Sequence, residues 1–265
     1  MKAVIVSTKD PAGMNIKENL LAYHAKESGK RFNHTVYSFD NFTLYTIDTD
    51  SVHCEKIDQD LPEEMIIFAT KHQSKAKRPC LCCHVPGNWN TADIGGEEKT
   101  LCKAPAEYIR KALLILDDIN DLGFEVSIEQ THHGPAINKP CMFIEIGSSQ
   151  EEWENKKAGK LIAETIIRLT NTPPEKRRTA LVLGGGHYNE TANKLIRNSE
   201  LAIGHICAKF LLEGLDKIIL EQAIEKNTTR ADLIVLDWKG LGPHKQKVKK
   251  ILSDIDIEVK RNKSI

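Results

Sequence analysis

The chain has 265 residues, is 40% hydrophobic, and balances 37 Lys+Arg against 37 Asp+Glu for a net charge of zero. That is enough apolar residue to bury a full core, and too even a charge to name a partner by itself. No apolar run approaches the ~20 residues that span a bilayer, and no secretory leader follows Met1-Lys2, so no membrane association and a cytoplasmic location are expected.

Short apolar runs alternate with segments of helical period. This is the pattern of an α/β fold, with a mostly parallel sheet flanked by helices. Strands are expected at 3–7, in a hairpin over 35–47 turning at Asp40-Asn41, at 65–69 and at 80–85. Helices are expected at 15–25 and at 105–119, the second opening on Pro105 and carrying a Leu/Ile stripe. In the second half, strands at 124–130 and 141–146 flank a THHGP loop, followed by a helix over 151–169. Then come a strand at 179–183, a helix at 190–196, a strand at 201–207, a helix at 215–226 and a strand at 233–236. A basic helix over 243–252 and a strand over 255–259 close the chain, while 28–34 reads as a loop. One α/β domain over 1–265 is expected, with room for a small inserted subregion around 28–64.

The seven cysteines form no regular framework. Reduced thiols are the expectation. Cys80, Cys82, Cys141 and Cys207 lie in apolar runs and read as small buried hydrophobes.

Five of the ten histidines cluster where strand-like runs stop: His84 in CHVPGNWN, His132 and His133 in QTHHGP, His187 in LGGGHYNE, and His205 in IGHIC. Strand ends are where α/β proteins assemble sites, so a metal or acid–base centre is expected. Adjacent His132 and His133 should point opposite ways in extended chain, one into a pocket and the other to the backbone. Gly134-Pro135 turns the loop. Glu145, inside an otherwise apolar strand, needs a partner. Gly184 to Gly186 let backbone N–H groups approach a ligand, and Asn189 is placed to cap the next helix. Trp89 beside His84 is a stacking candidate. His205, on an apolar strand, reads equally as a core histidine. Asp237 and Lys239 end a strand and can face the same cleft. Three basic stretches, 71–78, 174–178 and 243–252, in a chain of zero net charge suggest positive charge gathered on one face, suited to a polyanion.

In order along the chain, KAVIVSTKDPAGMNI, HVPGN, QTHHGP, FIEIGSSQEEW, GGGHY, IGH and LDWKGL resemble the D-aminoacyl-tRNA deacylases of archaea and plants. The resemblance covers nearly the whole chain. It implies a phosphorylase-like or peptidyl-tRNA hydrolase-like core, bound Zn2+, and hydrolysis of the ester of D-aminoacyl-tRNA over a broad side-chain range, as translation quality control. Its motif positions here are His84, His132, His133, Gly134, Glu145, Trp153, Gly184, Gly185, Gly186, His187, Tyr188, His205, Asp237 and Lys239. The expected catalytic groups are His133, Glu145 and His187. The expected metal ligands come from His84, His132, His133, His187 and Glu145, the division between ligands and substrate-orienting groups staying open. Gly134, Gly185, Gly186, Tyr188, Trp89, Asp237 and Lys239 are the substrate-binding candidates. Lys75, Lys77, Arg78, Lys245, Lys247, Lys249 and Lys250 are the candidates for holding aminoacylated tRNA, and the protein is expected to act as a monomer. Competing readings are a zinc-dependent peptidase or amidohydrolase, which needs no basic stretches, and a non-catalytic RNA-binding protein, which leaves the histidines unexplained.

Overall fold

A computed structural model describes residues 1–75 and 77–265; Ala76, within the basic stretch 71–78, lies outside the described residues. The first strand, β1 (Lys2–Ser7), is buried over five of its six residues. It pairs in parallel on both sides, with β4 (Phe42–Ile47) and β5 (Met65–Gln73). A strand covered on both faces needs an unbroken apolar run, which AVIV supplies. Between them lie helix α1 (Pro11–Leu21) and strands β2 (Lys26–Arg31) and β3 (His34–Ser38). Helix α1 begins earlier than apolar spacing suggests, because Asp10 caps it by accepting from Gly13 N at 2.8 Å and Pro11 opens it. The expected hairpin is β3–β4. The expected loop at 28–34 is instead largely β2, an edge strand with every residue exposed. It has no apolar face to betray it, and its charges suit an edge.

The large sheet continues through β6 (Cys80–His84), a two-stranded ribbon of β7 (Gly87–Asn88) and β8 (Thr100–Leu101) beside it, helix α2 (Ala106–Ile119), β9 (Glu125–Ile128) and β10 (Cys141–Ser148). Its order is β2-β3-β4-β1-β5-β10-β6-β9. Most of its pairs are parallel; β2–β3, β3–β4 and β6–β10 are antiparallel. The helix expected over 151–169 is two, α3 (Gln150–Glu154) and α4 (Lys156–Asn171). Asn155 leaves helical geometry at ψ 108° and its side chain accepts from Lys157 N and Ala158 N, so a cap interrupts the apolar stripe.

A second sheet, all parallel, has the order β12-β11-β13-β14. It is built from β11 (Thr179–Leu183), α5 (Glu190–Asn198), β12 (Ala202–Cys207), α6 (Lys217–Glu225), β13 (Leu233–Leu236), α7 (Lys245–Leu252) and β14 (Glu258–Arg261). Side chains alternate along β11. Ala180 and Val182 join the core shared with the large sheet, while Leu181 and Leu183 enter a second core with α6 and Trp89. The last strand starts later than expected because Ile255 and Ile257 pack on that second core instead of pairing. Helix α2 packs on β6, β9 and β12, and so ties the two sheets together. Among the described residues no helix is long and apolar enough to cross a membrane.

Candidate active site

Register places the first part of the site. Glu145 on β10 stands opposite Thr70 on β5 and opposite Cys82 on β6, and cross-strand partners share a face. Thr70 Oγ1 donates to Glu145 Oε1 at 2.7 Å, and Cys82 Sγ lies 3.9 Å from Oε2. Two residues along β5 on the same face is His72, and two along β6 is His84. Glu145 is 3% exposed, so it is a core carboxylate and not a surface charge. Cys82 faces this centre, unlike the inert packing residue expected of it.

The second part comes from the seam between the sheets. Residues after β9 pair with the turn after β11: Gln130 N donates to His187 O at 2.9 Å, and Glu129 bridges Tyr188. This brings Glu129 Oε2 to 3.3 Å from His187 Nε2 and its Oε1 to 3.1 Å from His72 Nδ1. His132 Nε2 lies 3.7 Å from Glu129 Oε2.

His132 and His133 do not point apart. Their ring centroids are 4.3 Å from each other, because His133 sits at φ +47°, in the left-handed region. That twist cancels the alternation of an extended chain and turns both rings inward. Gly134, which follows, allows the loop to pass within contact of the 94–96 segment, where a Cβ would meet Gly96 N at 2.3 Å. Gly134 therefore serves packing of the loop. His84 Nε2 reaches His133 Nε2 at 3.1 Å, and the His84 and His132 rings are 4.3 Å apart.

Hydrogen bonds set the tautomers. His132 Nδ1 lies 2.9 Å from Gln130 O, and His133 Nδ1 lies 2.7 Å from Gly134 O. A carbonyl only accepts, so each Nδ1 carries the proton and each Nε2 presents a lone pair to the centre. Burial pulls His133 down to about 4 and His84 and His132 well below the usual histidine range, which keeps all three neutral. His72 is the opposite case. Burial works against its charge, but the hydrogen bond to Glu145 and the charges of Glu129 and Glu145 outweigh it and lift it to about 9. Burial likewise opposes ionisation of Glu129, yet His187, His72 and His132 hold its carboxyl down to about 2. Burial raises Glu145 above the ordinary carboxylate range.

Neutral imidazoles with inward lone pairs, next to an ionised carboxylate, are a ligand set for a divalent cation. Two groups have ligand atoms within 4.8 Å of one another and share His132: His84, His132 and His133, and Glu129, His132 and His187. His84 Nδ1 is buried without a hydrogen-bond partner among the described residues, and the buried oxygens of Glu129 meet only histidine nitrogens at 3.1 Å or more. Buried polar atoms are rarely left so, and a cation would satisfy them. The N–H to carbonyl bonds behind His132 and His133 are the usual outer support of such ligands.

A cleft of about 440 Å³ opens above the centre. His72, His132, His133, His187 and Glu145 form its floor, and Asp50, Val52, Lys71, Ile94 and Phe143 stand around it. His84 lies behind the floor, fully buried. Of the other expected residues, Tyr188 supports the site, its hydroxyl 2.7 Å from His72 Nε2. Trp153 donates from Nε1 to His72 O at 2.9 Å and holds the end of β5.

The expectation for Trp89 is corrected, and several other candidates lie outside the cleft lining. Trp89 is 1% exposed, its Nε1 donating to Ile206 O at 3.1 Å, so it is a core side chain with no face for a ligand. His205 is inside β12, fully buried, and bonded to Thr131 and the Lys226 carbonyl. Asp237 accepts from Gly240 N at 2.9 Å, and Gly185 N donates to Gly240 O, so Asp237 shapes the turn on which the glycine loop rests. Gly184 and Gly185 take φ +101° and +87° there, while a Cβ on Gly186 would meet only Tyr188 O, at an ordinary contact distance of 3.8 Å. Lys239 is exposed on that turn. Lys247 donates to Glu213 O and leaves the basic face of α7. Arg177 and Arg178 are spent on Glu175, Glu200, Asp232 and Glu258. The sequence reading passed over His72, Glu129, Thr70 and Gln130. The alternation of Phe68, Thr70 and His72 along an extended β5 was the available signal for two of them.

A sequence model of D-aminoacyl-tRNA deacylases matches residues 60–260. A protein named D-aminoacyl-tRNA deacylase from Thermococcus kodakarensis is 38% identical, covering 99% of this chain and 100% of its own length. One of the same name from Archaeoglobus fulgidus is 31% identical, covering 100% of this chain and 98% of its own. A crystal structure described as that of a conserved protein of unknown function, AF0625, superposes with a TM-score of 0.93 at 31% identity, over 100% of this chain and 96% of that one.

Proposed function

The chain belongs to the D-aminoacyl-tRNA deacylase family, and on that premise we propose that the imidazole and carboxylate centre is where it hydrolyses the ester joining a D-amino acid to tRNA. The observation that carries this assignment is the convergence of His84, His132 and His133 in one ligand group and of Glu129, His132 and His187 in another, directly under a cleft that Glu145 and His72 help to floor.

Ester hydrolysis needs a water made nucleophilic, a place for negative charge on the carbonyl oxygen, and a proton for the departing ribose oxygen. Glu145 is the proton carrier in this reading. Its pKa is lifted toward working pH, where a general base acts best, and it lies in the cleft floor. It takes the proton from water and returns it to the ribose oxygen. His72, cationic at neutral pH and on the same floor, adds positive potential beneath the developing oxyanion, its two nitrogens being held by Glu129 and Tyr188. His187, steadied by Glu129 and by Gln130 Nε2 at 3.2 Å from its Nδ1, orients the ester. The donor set fits Zn2+ held by His84, His132 and His133, with Glu129 and His187 adjoining. The ion would supply polarisation of the carbonyl and a bound water with a pKa near ~7.

Around the floor, exposed Asp50 suits the substrate's ammonium group, and Val52, Ile94 and Phe143 offer apolar surface to its side chain. This mixed polar and apolar lining supports a broad side-chain range and a role in clearing mischarged tRNA. Lys75, Lys77 and Arg78 are exposed just beyond the cleft-lining end of β5 and suit phosphate contacts. Single-turnover deacylation tests the assignment. Glu145→Gln should lose at least ~100-fold in rate; an unchanged rate overturns it.

A further inference from the structure

Beyond the glycine loop, the same edge of the second sheet carries a group of cations gathered on one indole. Trp238 lies two residues past β13. The Arg261 guanidinium carbon is 4.0 Å from its ring centroid, Lys249 Nζ is 5.3 Å away and Lys245 Nζ 5.5 Å away. Lys245 and Lys249 share a face of α7 by their i, i+4 spacing. Three cations converging on one ring repel each other, and the ring quadrupole offsets only part of that. Among the described residues none of the three has a carboxylate within ion-pair distance, whereas six other arginines do. Such a cluster is short of an anion.

Its position says which anion. Leu183 of β11 and Leu236 of β13 are in register, and Leu236 pairs with Arg261 of β14. The turn that carries His187, the Trp238 turn and Arg261 therefore leave the sheet on the same side, at successive strand spacings of about 5 Å. The two turns also touch, through Gly185 N to Gly240 O at 3.3 Å. An aminoacyl ester seated over His187 extends into a phosphodiester chain, and that chain meets this edge about 10 Å away.

Resting on the deacylase reading above, we infer that Trp238, Arg261, Lys245 and Lys249 form a phosphate clamp for the tRNA backbone next to the aminoacylated end. Stacking on Trp238 fixes the plane of the Arg261 guanidinium, whose fork matches phosphate oxygens bidentately. The two lysines act as point charges beside it. These are positioning residues: they hold ground state and transition state alike, so they set KM and leave kcat.

The test compares Arg261→Gln, the double change Lys245→Gln with Lys249→Gln, and Trp238→Phe, with Lys160→Gln on the exposed face of α4 as control. KM and kcat are measured on D-aminoacyl-tRNA across a salt series, and affinity for deacylated tRNA by fluorescence anisotropy. Neutralised variants should raise KM and Kd roughly 3- to 10-fold and flatten the salt slope by about one unit per lost contact, with kcat held within twofold. Trp238→Phe, which keeps a ring, should fall between them and the parent. Parent-like KM, Kd and slope in the first two variants overturn the clamp while leaving the deacylase reading intact. Failure of the parent to hydrolyse overturns the deacylase reading, and the anisotropy series then decides the clamp by itself.

Discussion

Glu129 Oε2 lies 3.3 Å from His187 Nε2, although the first residue follows a strand of the large sheet and the second a glycine turn of the small one. The site exists only where the two sheets are stitched together. The same carboxylate reaches His72 through its other oxygen, at 3.1 Å, and so controls the charge of the centre.

Glu129→Gln keeps the shape and removes that charge. His72, held up at about 9 partly by Glu129, should titrate at lower pH, which NMR of its ring protons reads directly. Breaking a buried pair from one side costs about 3–5 kcal/mol, so the melting temperature should fall too. An unmoved His72 titration would remove Glu129 from this role.

His187→Ala should separate chemistry from folding. Its side chain is about one-third exposed beside the glycine turn, so a stability change within about 1 kcal/mol is expected. Deacylation should drop at least ~100-fold. A folded variant with near-parental turnover would return His187 to a structural role.

His205 predicts an acid-labile core. Burial pulls it down to about 4, from 6.5 in unfolded chain, despite the bond from Nε2 to Lys226 O. As pH falls from 6.5 toward 4 the unfolded chain takes up a proton that the folded chain refuses, so stability is present above 6.5 and declines below it. The shift amounts to roughly 3 kcal/mol at full extent. His205→Gln should be less stable at pH 7 yet show a shallower decline in urea midpoint between pH 7 and 4.5. Parallel declines would contradict the assignment.

If His84, His132 and His133 hold zinc, purified protein should contain it, and a strong chelator should remove both metal and activity. Added Zn2+ should restore both. His133→Ala should lower the metal content itself, an outcome independent of turnover. Full activity in metal-free protein would set the ion aside.

Much of this site was readable in advance because its parts mark themselves locally. THHGP, GGGHY and a Glu inside CMFIEI each break an apolar pattern at a strand or its end. His72 was hidden by its polar neighbours: KHQ reads as loop, but β5 runs on to Gln73 because Ser148 of β10 still pairs with it. Glu129 was hidden because a lone acid after a strand is ordinary, and its partners come from the other sheet. Trp89 misled for the converse reason, since an aromatic after Pro-Gly reads as exposed until a second core closes over it. The β2 edge carries no apolar residue, so nothing in its pattern distinguishes strand from loop.

The most direct measurement is hydrolysis of one tRNA charged in parallel with the D and the L form of the same amino acid, at equal enzyme and salt. Release of the D-amino acid with the L ester left intact is the predicted result. Equal rates on the two esters, or no hydrolysis of either by folded, metal-replete protein, would contradict the assignment of this centre.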